Sequence, residues 1–163
     1  HIMNFKNIFS RSAPLVALLI LFFLIFSFVI NKQDASAVTK TNKHNVEVFK
    51  TASCGCCYGY VLFLEEEKFA VKQTDMRSLH SVKKKYNIPL EMQSCHTSIL
   101  GKYFIEGHVP LEAINKLLKE QPDIDGIALP GMPIGTPGMP GEKEEPFIIY
   151  QLVDGISSVF MTI

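Results

Sequence analysis

The spacing of apolar positions divides the chain after about residue 45 into short strands and helices. Apolar residues that alternate with polar ones indicate strands, and apolar residues three or four positions apart indicate helices. The predicted elements are, in chain order, a strand over 46–50, a helix over 58–68, a strand over 71–74, a helix capped by Ser78, strands over 97–100 and 103–105, and a helix from Pro110 to just before Pro122.

Residues 126–146 break this pattern because they are rich in proline and glycine. The tetrapeptide Pro-Gly-Met-Pro occurs at 130–133 and again at 137–140, and we call residues 130–140 the methionine loop. This composition predicts neither a helix nor a central strand. Strands over 147–153 and 158–161 follow. The order of elements predicts an α/β fold, a sandwich with a mixed β-sheet.

The N-terminal part has the pattern of an export segment. A charge-free apolar run over 13–30 follows a basic start and precedes Ala35-Ser36-Ala37, a small-residue motif that signal peptidases cleave. Residues 1–37 are therefore predicted to be a signal peptide, or alternatively a membrane anchor that remains uncleaved. The first two residues resemble a cloning remnant.

We expect residues 38–45 to be a linker and residues 46–163 to form one domain outside the cytoplasm. We expect this domain to be periplasmic or otherwise extracytoplasmic. If residues 13–30 stay uncleaved, they anchor it to the inner membrane, and the protein has no other membrane contact.

The charge of the chain argues against a nucleic-acid partner. The whole sequence has a net charge of zero, and the part after residue 37 has thirteen basic and fifteen acidic residues, a net charge of −2. The run Lys83-Lys84-Lys85 lies in a helical pattern and is predicted to be a solvated face.

Four cysteines carry the candidate chemistry. Cys54, Cys56 and Cys57 follow the first strand and open the first helix, and Cys95 stands in Ser-Cys-His-Thr. The helix N-terminus lowers the pKa of a thiol, and thiolate is both a nucleophile and a ligand for soft metals. A CxxC motif between a first strand and a first helix is typical of thioredoxin-like proteins. The alternative is structural disulfides, but adjacent cysteines bridge poorly and close no long loop.

Several motifs together resemble one protein family. They are Cys54-Gly55-Cys56-Cys57, Gln93-Ser94-Cys95-His96-Thr97, Ile105-Glu106-Gly107-His108-Val109-Pro110 and Ala128-Leu129-Pro130-Gly131-Met132-Pro133-Ile134-Gly135 with Pro137-Gly138-Met139. The chain resembles the family catalogued as domain of unknown function 411, which consists of small exported bacterial proteins, often called CopG-like, that are linked to copper resistance. The resemblance covers about residues 45–161 and implies a thioredoxin-like fold and a copper-binding role.

The sequence differs from a thioredoxin at the position that faces the CxxC motif. Oxidoreductases of that fold have a cis-proline before the third strand, whereas this chain has Cys95 and His96 there. Cys54, Cys57 and Cys95 can form a trithiolate site, which suits Cu(I). Zinc is also possible, with His96 as its fourth ligand. Cys56 is expected to face away, as a spare ligand, a resolving thiol or a small half-buried residue.

The histidines and methionines leave alternatives open. His96 is either a ligand or a hydrogen-bond donor to a ligand, because alternation would place it opposite Cys95 on an extended segment. His108 is a further candidate ligand, or a hydrogen-bonded turn residue. Met132 and Met139 are Cu(I) ligands, part of a lid through which copper enters, or packing residues.

Two functions remain open. The favoured one is an exported protein that sequesters or transfers Cu(I), with other exported copper-handling proteins as possible partners. The alternative is a thiol-disulfide oxidoreductase in which Cys54 and Cys57 form the redox pair. The sequence favours a metal-binding protein over an enzyme without deciding the matter.

Overall fold

The computed structural model describes residues 44–163, which form a seven-stranded mixed sheet with three α-helices. The strands are β1 (Asn45–Lys50), β2 (Ala70–Asp75), β3 (Thr97–Leu100), β4 (Tyr103–Glu106), β5 (Gly126–Ala128), β6 (Ile148–Val153) and β7 (Ile156–Thr162). The helices are α1 (Gly55–Glu66), α2 (His80–Lys85) and α3 (Leu111–Glu120), with a short 3₁₀ turn at Leu90–Met92.

The strands lie in the order β2-β1-β3-β4-β5-β6-β7. Strands β1 and β2 are parallel, as are β4 and β5, and the other neighbouring pairs are antiparallel. Each parallel pair is connected through a helix, as parallel strands require. The sheet is therefore mixed, as the sequence predicted.

Helices α1 and α3 pack against one face of the sheet. Tyr60 and Leu64 of α1 and Ile114 and Leu117 of α3 belong to the same buried cluster as Ile105 of β4. Because successive strand residues point to opposite faces, Phe104 lies on the other side, in a smaller cluster beneath the segment that follows α2. Strand β4 is buried on both faces, and its C-terminal end leads directly into the candidate site.

Most of the predicted elements are present, with shifted ends. Helix α1 begins at Gly55, three residues before the predicted start. Helix α2 has Leu79 at its N-cap, and the predicted cap, Ser78, accepts a hydrogen bond from His80 N at 3.3 Å.

The prediction that residues 126–146 contain no central strand is wrong. Strand β5 (Gly126–Ala128) lies between β4 and β6. A side chain at Gly126 would overlap Phe104 O, so the glycine allows the two strands to approach closely. The prolines that argued against a strand begin only after this short segment.

The prediction that Lys83 belongs to a solvated face is also wrong. Its side chain is buried and forms an ion pair with Glu106 on β4. Lys83 lies four positions after the buried Leu79, which places the two residues on the same side of α2.

The predicted signal peptide or anchor, its cleavage site and most of the predicted linker lie outside the described residues. Across residues 44–163, none of the helices combines the length and apolar character that a membrane span requires.

Candidate metal centre

Residues 54–57, which we call the cysteine turn, form the N-terminal end of α1. Cys54 is the N-cap residue, and its sulfur accepts a hydrogen bond from Cys57 N at 3.3 Å. Cys54 and Cys57 are joined by a disulfide, while Cys56 and Cys95 are free thiols. Cys57 is buried, and the other three cysteines are half-buried. The structure is thus the oxidised state of the CxxC motif.

Cys56 does not face away from the other cysteines, as the sequence had suggested. Its sulfur lies 3.5 Å from that of Cys54 and 3.9 Å from that of Cys95. The backbone of the N-cap residue Cys54 is extended, which places the Cys54 sulfur over the first turn of the helix. The Cys56 sulfur and Cys57 N therefore both lie close to the Cys54 sulfur. Cys56 therefore connects the cysteine turn to Cys95.

Cys95, His96 and His108 form the opposite side of the cluster, which we call the histidine side. The Cys95 sulfur lies 3.4 Å from His96 Nδ1 and 3.0 Å from His108 Nε2. Alternation along an extended segment would have separated Cys95 from His96, but β3 begins only at Thr97 and the preceding residues bend. Both imidazoles are consequently within reach of the same thiol.

On the histidine side the two imidazoles are fully buried and Cys95 is half-buried, and this burial sets the protonation of the three groups. Burial lowers the pKa of His96 well below its usual range, and the positive charge of Lys83, together with that of His108 when it is protonated, lowers it further. Burial also lowers the pKa of His108. Burial raises the pKa of Cys95 to about 12, with a further contribution from Cys56. The imidazoles are therefore neutral near pH 7, which is the state that ligates metals.

Tyr60 of α1 packs against both histidines, whose own ring centroids are 4.7 Å apart. Its ring centroid is 4.5 Å from that of His96 and 5.6 Å from that of His108, and its hydroxyl donates to Val109 O at 2.9 Å. Burial raises the pKa of this phenol, so the ring acts as a neutral apolar support for both imidazoles.

A buried carboxylate anchors the segment that carries Cys95 and His96. Glu106 Oε1 accepts hydrogen bonds from Lys83 Nζ and, at 2.6 Å, from Ser94 N. Glu106 Oε2 accepts from Thr97 Oγ1 at 2.6 Å. Burial raises the pKa of Glu106, whereas the Lys83 ammonium and the other donors oppose that shift.

The methionine loop covers one side of the cluster with its backbone. Pro137 O lies 2.7 Å from His108 Nδ1, and the Ser94 hydroxyl donates to Gly131 O. A side chain at Gly138 would meet Tyr60 N at 2.5 Å and Cys56 O at 2.7 Å, so the loop touches the first turn of α1 there. The loop thus folds back over the CxxC end of the sheet.

The side chains of Met132 and Met139 contact the cysteine cluster less closely than the backbone of the loop does. Met132 is 51% exposed. Met139 lines a groove of about 730 Å³ together with Phe63 and Leu111, and none of the described residues that line this groove is a cysteine. In this oxidised state, therefore, the loop contributes backbone contacts to the site.

The donor atoms are close enough to share an ion. The four cysteine sulfurs all lie within 4.8 Å of one another, and so do the ligand atoms of Cys95, His96 and His108. Sulfurs bound at about 2.3 Å to a tetrahedral ion are separated by about 3.8 Å. The distances from Cys56 to Cys54 and to Cys95 are similar to this value. Reduction of the Cys54–Cys57 disulfide would make all four thiols available.

His96 Nε2 adds an observation that the sequence could not supply. It is one of two buried side-chain polar atoms in residues 44–163 without a hydrogen-bond partner, the other being Ser98 Oγ. Pro137 O accepts from His108 Nδ1–H, so the Cys95 thiol donates to His108 Nε2 and its sulfur accepts from His96 Nδ1–H. His96 Nε2 is then a buried lone pair without a donor.

Sequence reasoning missed Glu106, Lys83 and Tyr60 as parts of the site. A signal existed for the first two, because Glu106 ends an otherwise apolar strand and Lys83 lies on the apolar side of its helix. Tyr60 gave no such signal, since an apolar helical position is expected to be core.

Part of the domain matches a known protein family. The family described as "Protein of unknown function, DUF411" matches residues 92–139, which include the histidine side and the methionine loop. No curated protein matches the chain.

Two solved structures are similar over most of the domain. They are described as "Copper resistance protein copG- Form 1" and "Copper resistance protein copG- Form 2", and they superpose with TM-scores of 0.68 and 0.69. Each is 36% identical to this chain, and the match covers 74% of this chain and 98% of the solved one. The chain belongs to the CopG-like DUF411 family.

Proposed function

We propose that this protein binds Cu(I) outside the cytoplasm and sequesters or transfers it as part of copper resistance. The observation that carries the proposal is the convergence of four sulfurs, with two buried imidazoles beside Cys95. Thiolates are soft ligands that favour Cu(I), and neutral imidazoles bind it as well. The similar solved structures, which are described as copper resistance proteins, agree with such a role.

The ligand set that we propose has a thiolate centre and weaker outer donors. Cys54, Cys57 and Cys95 form the centre, with Cys56 as the bridging fourth thiol and with His96 and His108 completing the buried side. Met132 and Met139 would act from the methionine loop once the disulfide is reduced. Zinc is the competing ion, since it accepts the same sulfur and nitrogen donors.

The setting that we propose for this site is a thioredoxin-like domain in the periplasm. The CxxC motif between β1 and α1 supports that fold assignment. The apolar run over 13–30 and the Ala35-Ser36-Ala37 motif support export, by a signal peptide or by an anchor.

A Cu(I) competition titration tests the proposal. The fully reduced protein is titrated against a chromogenic Cu(I) chelator, in parallel with Cys54→Ser, Cys57→Ser and Cys95→Ser. Each substitution removes a thiolate ligand, so we expect affinity losses of about 100-fold or more, beyond the typical cost of losing a residue that only supports a ligand. His80→Asn, at an exposed helix position, is the matched control and should bind as the parent does.

Two outcomes would reject this proposal. The first is that all three serine variants compete as well as the parent, because the site would then lie elsewhere. The second is that the reduced parent binds zinc tightly but fails to compete with the chelator for Cu(I). Zinc would then be the ion that the site binds. The oxidised parent, with its Cys54–Cys57 disulfide intact, should bind Cu(I) much more weakly than the reduced protein.

The Cys54–Cys57 disulfide favours a second candidate, a thiol-disulfide oxidoreductase. Cys54 is half-buried at a helix N-terminus, where substrates could reach it. Against it, Cys56 lies 3.5 Å from the Cys54 sulfur and competes in any exchange, and Cys95-His96 replaces the substrate-binding proline. We therefore expect slow insulin reduction with dithiothreitol as the electron source. Turnover comparable to that of a thioredoxin would reverse the order of the two candidates.

A further inference from the structure

The buried pair of Glu106 and Lys83 belongs to no part of the ligand set described above. The Glu106 side chain has no exposed surface, and that of Lys83 is 7% exposed. Replacing a buried ion pair by apolar residues often leaves stability unchanged or improves it, so stability alone is a weak reason for such a pair. What it contacts suggests another reason.

The carboxylate of Glu106 holds two residues that flank the ligand pair. Ser94 N donates to one oxygen and Thr97 Oγ1 to the other, each at 2.6 Å. Cys95 and His96 are the two residues between these anchors. Lys83 fixes the carboxylate and also donates to Thr97 Oγ1 at 3.3 Å. The network therefore fixes both ends of the four-residue segment.

The chain after Glu106 strengthens the same connection. Gly107 N donates to His96 O at 3.0 Å, and the next residue, His108, contacts Cys95. Gly107 has φ +77°, and a side chain there would meet Leu129 O at 2.6 Å and Ser94 Cβ at 2.7 Å. Glycine is required for this close approach.

We propose that Glu106, held by Lys83, is a positioning residue that fixes the backbone of residues 94–97 so that Cys95 and His96 face the metal together. This inference rests on the proposed copper-binding function. It explains the bend that places Cys95 and His96 on one side, because an extended segment would separate them. The pair orients ligands and does not itself touch the ion.

Two double variants of the full chain separate positioning from stability. Lys83→Met with Glu106→Gln removes both charges but keeps an acceptor for Ser94 N and an amide that can donate to Thr97 Oγ1. Lys83→Met with Glu106→Leu has similar bulk and removes every polar contact. The first measurement is amide hydrogen exchange at residues 94–96 in the metal-free protein. The second is Cu(I) affinity of the reduced protein, and thermal unfolding is followed for both variants.

We expect the glutamine double variant to match the parent within about threefold in both measurements. The leucine double variant should unfold at a similar temperature, yet exchange the Ser94 amide at least tenfold faster. It should also bind Cu(I) about 10- to 100-fold more weakly, the usual cost of losing a group that orients a ligand.

The proposal is overturned if the two double variants behave alike in either measurement. It is also overturned if the affinity of the leucine variant falls only in step with its unfolding temperature, since the pair would then be a stability element. A parent that fails to bind Cu(I) rejects the proposed function. The exchange rates, measured without metal, would then decide by themselves whether Glu106 fixes the segment.

Discussion

The cysteine turn and the histidine side both contribute ligand atoms, but they are built differently. The cysteine turn places three sulfurs within four consecutive residues, and local helix capping arranges them. The histidine side brings residues 95 and 96 together with residue 108 through the antiparallel pairing of β3 with β4, in which Thr97 is opposite Glu106. One side depends on local geometry and the other on strand register.

The ligand atoms also differ in burial. Cys54, Cys56 and Cys95 are half-buried, whereas Cys57 and the two imidazoles, which pack against Tyr60, are fully buried. The half-buried sulfurs suit the exchange of an ion or of a disulfide, and the buried imidazoles suit fixed geometry. The methionine loop contacts both sides through Gly138 and Pro137, so it joins them.

The largest predicted effect comes from separating the methionine loop from the cysteine turn. Gly138→Ala should destabilise the protein by about 3 kcal/mol, because the residue has a left-handed backbone and its new methyl would meet backbone atoms of α1. Urea denaturation measures this free energy. Cu(I) affinity should fall as well, since Cys56 O is one of the atoms displaced.

Gly131→Ala is the matched control for the loop. Gly131 has φ +72°, close to the +81° of Gly138, but a side chain there would meet no atom within 4 Å. Its cost should be about 1 kcal/mol, from backbone conformation alone. Equal costs for the two substitutions would show that the loop does not press on the cysteine turn.

Acidification should destabilise the protein through the two buried histidines. The unfolded chain protonates His96 and His108 below about pH 6.5, whereas burial lowers the pKa of both in the folded state. Below that pH the unfolded state binds more protons than the folded state. The contribution of these histidines to the free energy of unfolding is therefore fully present above about pH 6.5, and it decreases as the pH falls towards the folded pKa values. Each histidine contributes up to about 1.4 kcal/mol per pH unit. Denaturation of the metal-free, oxidised protein between pH 7 and 5 measures the slope.

Two variants separate the contribution of the histidines to this pH dependence from that of the carboxylates. Glu106 acts in the opposite direction, because burial raises its pKa. His96→Gln keeps Glu106 and the other carboxylates and should reduce the slope, whereas His80→Asn, at an exposed position, should leave it unchanged. A slope that is the same in parent and His96→Gln would contradict the assignment.

The cysteine turn could be predicted from the sequence because its signals are local. The spacing of the cysteines and the start of an apolar helical pattern suffice to place thiols at a helix N-terminus. The same local reasoning failed for Cys56, because whether it faces its neighbours depends on the N-cap conformation of Cys54 rather than on helical spacing.

The histidine side could be predicted only in its residue types. His96 and His108 were candidates, and the two-residue connection between β3 and β4 fixes the register of those strands. Their distances to Cys95 depend also on the bend before Thr97 and on the turn after Glu106, which no local pattern specifies. The partnership of Lys83 with Glu106 was missed because it joins a helix to a strand 23 positions away. Strand β5 was missed because the composition of the following loop outweighed three buried residues.

The smallest predicted effect tests whether the methionines join the two sides in the reduced protein. Met132→Leu with Met139→Leu preserves size and apolarity, so folding should be unaffected. If the thioethers ligate Cu(I), their loss should weaken affinity only a few-fold at pH 7, because thiolates dominate there. The difference should grow towards pH 5, since acid protonates thiolates but not thioethers. The measurement is a Cu(I) competition titration of both proteins over this range.

The double-leucine variant also distinguishes ligation from coverage. The loop touches the site through the backbone of residues 137 and 138, which the substitutions leave in place. A loop that acts only by covering the cysteines would therefore give parent and variant the same affinity at every pH and the same rate of copper exchange. A pH-dependent difference requires the thioethers themselves to reach the ion. For Met139 that means leaving the groove beside Phe63, so the exchange rate should change along with the affinity.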